Sequence, residues 1–108
     1  MEKYDIYYCD LGNSTGSEQG GYRPCIILQN NLGNKYSPTT IIAPLTTQVK
    51  RPLPTHIMIN MNNHTSCILT EQLRVIDKAR IKKYYGAVTN VELQKKIDIA
   101  TRVSLGLN

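Results

Sequence analysis

Arg23 is the residue of this sequence best suited to holding an anion. It follows the Gly20-Gly21 turn and opens an apolar run, so its guanidinium can project at a loop edge. A planar guanidinium binds two phosphate oxygens at once. Thr46-Thr47-Gln48, at the end of another apolar run, adds hydroxyls that can donate to oxygens of the same kind. Each feature has an ordinary alternative. A lone loop arginine is commonly a solvated surface residue, and a threonine at a strand end commonly satisfies backbone groups. His56 and His64 are the only histidines. Two histidines can run acid–base chemistry, but nothing in the sequence brings these together, and surface or internally satisfied rings are the simpler reading. Cys9, Cys25 and Cys67 are odd in number and match no zinc or redox spacing. Cys25 stands mid-strand with no histidine beside it, which argues against a cysteine nucleophile. No nucleophile elbow, P-loop or carboxylate cluster suited to two metals occurs. The expected chemistry therefore uses no metal and no cofactor.

A chain of 108 residues with 41% hydrophobic content can build one core, and one domain over residues 1–108 is expected. The net charge of +5 and the pI near 9.2 favour a polyanionic partner. No apolar stretch is long enough to span a membrane. Met1-Glu2-Lys3-Tyr4-Asp5 lacks the apolar core of a signal peptide, and the unpaired cysteines fit a reducing compartment. A cytoplasmic location is the expectation.

The elements that must position these groups are mostly strands. Tyr4 to Leu11 alternates and is aromatic. Gly12 to Gly21 is a polar loop, and Arg23 to Gln29 is a second strand with Pro24 near its start. Asn30 to Pro38 reads as a turn-rich connection. Thr39 to Thr46 is a third strand, whose Pro44 requires an edge or a bulge. Thr47 to Thr55 is a basic loop with Lys50 and Arg51. His56 to Asn60 alternates again, Asn62-Asn63-His64-Thr65 is a polar turn, and Ser66–Leu69 and Gln72–Ile76 supply further strand. Asp77 to Arg80 looks like one helical turn, and Tyr84 to Val88 a last short strand. Thr89 with Glu92 forms a capping-box pattern. Leu93, Ile97, Ala100, Ser104 and Leu107 then recur at helical spacing. The expected fold is mainly β: a small, strongly bent antiparallel sheet closed by a C-terminal helix.

Longer motifs carry a resemblance. Tyr7-Tyr8-Cys9-Asp10-Leu11 leads into Gly16-Ser17-Glu18-Gln19-Gly20-Gly21-Tyr22-Arg23-Pro24, which resembles the G-S-E-Q-x-G-x-R-P signature of the MazF/PemK toxins. Gln29-Asn30, Gly33-Asn34, Ser37-Pro38-Thr39 and Ile42-Ala43-Pro44-Leu45-Thr46 follow in order. Pro54-Thr55-His56 is similar to the family's P-T-H segment, and Glu71-Gln72-Leu73-Arg74-Val75-Ile76-Asp77-Lys78 to its E-Q-x-R-x-x-D-K/R segment. The matches run from about residue 5 to residue 80. Two departures stand out. Lys3-Tyr4-Asp5 replaces the R-G-D or K-x-G-D that often precedes the first strand, with Tyr4 in place of a small residue. The connection Asn60 to Thr65 is shorter than usual, so the family's cut motif does not carry over.

The resemblance implies a small SH3-like antiparallel barrel with a C-terminal helix, acting as a homodimer with RNA along a groove made by both subunits. It implies the toxin half of a type II toxin–antitoxin pair: a ribosome-independent endoribonuclease cutting single-stranded RNA, mRNA included, at a short motif. Arg23 and Thr46 fall at the family's catalytic positions. Gln19, Thr47, Gln48, Ser66, Glu71, Gln72 and Arg74 fall in segments that line or support the RNA groove. Glu18 is a candidate proton acceptor, with loop capping as its alternative role. With no Trp and no Phe, aromatic stacking on bases falls to tyrosine, and Tyr22 and Tyr36 are the loop candidates. A cognate MazE-like antitoxin would be a partner, presenting an acidic segment that folds on the basic groove. Two alternatives share the fold: an RNA-binding module that does not cut, and a gyrase-inhibiting toxin. The latter branch relies on a C-terminal Trp, which this chain lacks.

Overall fold

The computed structural model describes residues 1–48 and 51–107, so Lys50 of the basic loop and Asn108 lie outside the described residues. Seven strands are present: β1 (Asp5–Asp10), β2 (Tyr22–Ile27), β3 (Thr39–Thr46), β4 (His56–Met61), β5 (His64–Leu69), β6 (Arg74–Asp77) and β7 (Ile81–Ala87). Helix α1 (Asn31–Tyr36) lies between β2 and β3, and helix α2 (Val91–Leu105) follows β7. Short 3-10 turns at Thr70–Gln72 and Lys78–Arg80 flank β6. Every pairing is antiparallel, in the order β4-β5-β3-β2-β1-β7, with β6 also on β3.

β3 holds the curl together. Its first half pairs with β6 from Thr39 to Ile42, and its last two residues, Leu45 and Thr46, pair with β5. Pro44 stands at the changeover, where a missing N–H costs no ladder bond. The curl buries both faces of the central strands. Ile6, Ile26, Ala43, Leu45, Ile59 and Ile68 meet Ile97 of α2 on one side. Cys9, Leu11, Cys25, Ile27, Ile42 and Ile76 fill the other. Burial on both faces is why Cys25-Ile26-Ile27 reads as a continuous apolar run and not as an alternation. The result is the small SH3-like barrel, mainly β, with its C-terminal helix.

Several local features differ from the sequence reading: Gln72 lies in a 3-10 turn and not on a strand, Leu107 lies beyond the end of α2, and four more changes concern caps, turns and strand ends. Asn30 to Pro38 contains α1: the Asn30 side chain accepts from the Gly33 N–H, and Ser37 N–H donates to the Gly33 carbonyl. Asn34 is buried there and accepts from the Thr40 hydroxyl at 2.7 Å. The cap of α2 is Asn90, not Thr89; its side chain accepts from Leu93 N–H, and Glu92 serves the first turn's positive end instead. β7 starts three residues earlier than expected, because β1 offers it a pairing edge as far as Cys9↔Ile81. His64 opens β5 and is not part of the turn. Asn62 and Asn63, at φ 51° and 63°, make the two-residue hairpin turn by themselves.

Candidate functional site

The β1–β2 loop is closed at its neck by backbone bonds: Leu11 N–H to Gly21 carbonyl at 2.8 Å and Gly21 N–H to Gly12 carbonyl at 2.7 Å. Gly21 takes φ 74°, a conformation that only glycine adopts cheaply. The chain then re-enters as β2, and the Arg23 Nε–H donates to the Gly20 carbonyl at 2.8 Å. The loop neck thus fixes the arginine stem. Gln72, from the turn before β6, braces the same loop: its Oε1 accepts from Gln19 N–H at 2.8 Å and its Nε2 donates to the Ser17 carbonyl at 3.1 Å.

β2 and β3 pair as Ile27↔Ile42, Ile26↔Ala43 and Cys25↔Pro44. Arg23 and Thr46 each lie two residues beyond the Cys25↔Pro44 pair, at the same end of the two strands. The Thr46 Oγ1 accepts from the Gln48 N–H at 3.1 Å, and among the described residues its O–H has no acceptor. Both residues line an open groove of about 870 Å³. Among the described residues no carboxylate lies within ion-pair distance of Arg23, so its charge is not neutralised locally.

The same groove gathers most of the expected site. Glu18, Gln19, Thr47 and Gln48 line one part of it, and Ser66, Glu71 and Gln72 another. The model of the family described as PemK-like, MazF-like toxin of type II toxin–antitoxin systems matches residues 2–104. The chain belongs to that family. It is 41% identical over 112 residues to Endoribonuclease EndoA of Bacillus subtilis (strain 168), covering 99% of this chain and 96% of that protein. Among solved structures it is similar to an endoribonuclease in complex with its cognate antitoxin from a mycobacterial species. That match has a TM-score of 0.84 and 25% identity, and covers 100% of this chain and 97% of that one. MazF from Deinococcus radiodurans shares the fold, with a TM-score of 0.82 at 18% identity over 99% and 97% of the two chains.

Three expected residues lie outside the groove lining of this toxin, and a fourth, Glu18, lines it but is engaged by its own loop. Arg74 does not line the groove; its Nη1 donates to the Leu11 carbonyl at 3.3 Å and supports the root of the loop. Tyr22 is not a lining residue either. It is exposed and stacks on Tyr8, which does line the groove. Tyr36 ends α1, away from the groove, beside the Lys35 ammonium. Glu18 caps its own turn, accepting from Thr15 N–H through Oε2 at 3.2 Å.

Several groove residues were not singled out from the sequence as members of the site, His56, His64, Tyr8 and Tyr85 among them. His56 binds the Glu71 Oε2 through Nε2 at 2.8 Å and the Arg51 carbonyl through Nδ1 at 3.1 Å, while Thr55 Oγ1 donates to Glu71 Oε1 at 3.1 Å. Both ring nitrogens face oxygen atoms. This knot ties the Pro54-Thr55-His56 segment to the Glu71-Gln72 segment. His64 lines the same groove. The two histidines are thus brought to one surface by the β4–β5 hairpin, which no local spacing announces. Tyr8 and Tyr85 complete the wall. The cysteines stand apart. All three are buried, burial pushes the Cys67 thiol up, and a hydrogen bond to Cys9 together with burial does the same to Cys25. Among the described residues no cluster of three or more His, Cys, Asp or Glu could hold a metal ion.

Proposed function

We propose that this chain, as one domain over residues 1–108, is the endoribonuclease toxin of a type II toxin–antitoxin pair. It cuts single-stranded RNA, mRNA included, at a short motif, without ribosome, metal or cofactor. The observation that carries this reading is that Arg23 and Thr46 line one open groove, the arginine lacking any carboxylate partner among the described residues.

RNA brings its own nucleophile. The 2′-oxygen attacks the adjacent phosphorus, the bond to the 5′-oxygen breaks, the departing 5′-oxygen takes a proton from solvent, and the products are a 2′,3′-cyclic phosphate and a 5′-hydroxyl. Arg23 holds the non-bridging oxygens and gains most where negative charge accumulates, in the phosphorane-like transition state. Thr46 donates its O–H to the same phosphate and keeps it in line. The 2′-proton leaves to solvent or to Glu18, whose Oε2 is engaged by Thr15 while Oε1 has no partner among the described residues. Arginine is a poor base because it stays protonated, so its role is electrostatic. Gln19, Thr47, Gln48 and Ser66 offer the amide and hydroxyl groups that read unstacked bases, while Gln72 supports the groove by bracing the β1–β2 loop and Glu71 by tying the segment that carries His56. Arg74 also supports that loop, at its root.

The toxin acts as a homodimer, and an acidic segment of a MazE-like antitoxin covers the basic groove. The mycobacterial structure with its cognate antitoxin supports that partner class. The test is incubation of purified protein with a long unstructured RNA in EDTA, with the ends mapped by sequencing. Recurrent cuts at one short motif with 5′-hydroxyl ends are expected, falling about 10²–10³-fold in Arg23→Ala. Wild-type protein that binds RNA or gyrase without cutting overturns the reading.

A further inference from the structure

Three tyrosines from three strands form one continuous aromatic surface at the edge of the groove. Tyr8 on β1 and Tyr22 on β2 stack with ring centroids 5.2 Å apart and planes 4° from parallel. Tyr85 on β7 meets Tyr8 edge-on, at 5.5 Å and 76°. β1 is hydrogen-bonded to both neighbours, which puts the three rings on one face of the sheet. Tyr8 and Tyr85 line the groove that holds Arg23, and they hold the column in place. Tyr22 is its outer member, 59% exposed. One face of its ring lies on Tyr8, and the other meets solvent.

A large ring left open in this way gains nothing for the fold beyond its one stacked face. It gains more with a second flat partner. Offset parallel stacking suits an aromatic column of this kind, and every nucleobase has a π-face. Consecutive side chains of a strand point to opposite faces, so the link between Tyr22 and Arg23 is Tyr8, which stacks on the Tyr22 ring and lines the groove together with Arg23. A base on the outer ring and the scissile phosphate on the guanidinium can therefore belong to nearby nucleotides of one strand.

We propose that the free face of Tyr22 is a base-stacking subsite at the edge of the groove that holds Arg23, extending the Tyr85–Tyr8–Tyr22 column by one nucleobase of single-stranded RNA. The subsite rests on the nuclease reading and adds a specificity element to it. It supplies no hydrogen bonds to a base edge, so it ranks bases by stacking area, purines above pyrimidines, and does not identify a single base.

The test uses full-length protein and an oligonucleotide spanning the mapped cut motif. The 2′-hydroxyl at the cut is methylated for binding and left free for cleavage. 2-Aminopurine is placed in turn at each nucleotide flanking the cut. One position shows fluorescence quenching with wild-type protein and with Tyr22→Phe, and loses it with Tyr22→Ala. At that position an abasic nucleotide costs the wild type about 5- to 150-fold in kcat/KM. Tyr22→Ala loses a similar factor on the intact oligonucleotide and then little more on the abasic one, while Tyr22→Phe keeps wild-type behaviour. Equal abasic penalties in wild type and Tyr22→Ala, or quenching at no position while the wild type still cuts, overturn the subsite and leave the nuclease standing. A wild type that does not cut the oligonucleotide overturns both.

Discussion

Replacing Gln72 by Ala would separate holding the loop from contacting RNA. Gln72 reaches across more than fifty residues of chain to make two hydrogen bonds to the β1–β2 loop, one to the Gln19 amide and one to the Ser17 carbonyl. Next to Gln19 is Gly20, whose carbonyl anchors Arg23. A neutral hydrogen bond contributes about 0.5–1.5 kcal/mol net, and with one of the two exposed the pair amounts to about 1–2 kcal/mol. That energy shifts the ordered loop population by about 5- to 30-fold. Hydrogen exchange at the Gln19 amide is expected to accelerate by that factor in Gln72→Ala, and kcat/KM on the mapped RNA motif to fall by no more than that. Because the effect passes through Arg23, the same substitution in an Arg23→Ala background is expected to cost less than about 2-fold, as coupled sites do. Unchanged protection of the Gln19 amide would refute the brace. The full loss reappearing in the Arg23→Ala background would show that Gln72 acts on RNA directly and not through the arginine.

Two further outcomes follow from the loops and termini. Tyr4 has φ 74° where the family often has glycine, and its phenol donates to both carboxylate oxygens of Asp98 on α2, at 2.8 and 2.9 Å. Tyr4→Phe is expected to lower stability by about 1–2 kcal/mol in urea unfolding at pH 7. Burial first, and then the Asp98 hydrogen bond, raise the Tyr4 phenol above its ordinary 10.0. The folded state therefore favours the protonated form, so this contribution is complete below pH 10 and fades as pH rises through the raised value. Tyr4→Phe should accordingly show a shallower alkaline loss of stability than wild type. Asn63→Val, at φ 63° in the β4–β5 turn, is expected to lower stability by about 1–2 kcal/mol while Asn63→Gly is nearly neutral, measured as thermal midpoints.

Much of the frame was legible before any coordinates. The bounds of β3 were readable as Thr39 to Thr46, because apolar and β-branched residues fill the segment and turn residues precede it. The loop from Gly12 to Gly21, the helical turn after Asp77 and the C-terminal helix are marked by glycine, aspartate and 3.6-residue periodicity, although that periodicity runs on to Leu107 and the helix stops at Leu105, where Gly106 turns left-handed. The α1 helix was hidden because Asn30, Gly33 and Asn34 are turn formers as well as helix caps. Six residues are too few to display a period. The cap at Asn90 in place of Thr89 is a one-residue choice between two good capping side chains, settled by where Val91 enters the helix.

Arg23 and Thr46 could be picked out in the sequence as residues of the right chemistry, and the basic charge as a reason to expect a polyanion. Their meeting on one groove was not available there. It depends on the β2–β3 register, and on β3 turning from β6 to β5 at Pro44. The gathering of His56, His64, Tyr8 and Tyr85 around them, and the turning of Arg74 to the loop root, depend on pairings between segments far apart in the chain. β1 with β7 is the longest of these. Alternation within a strand reports which of its faces is buried. It does not report which other strand lies alongside, and the site is built from the strands that do.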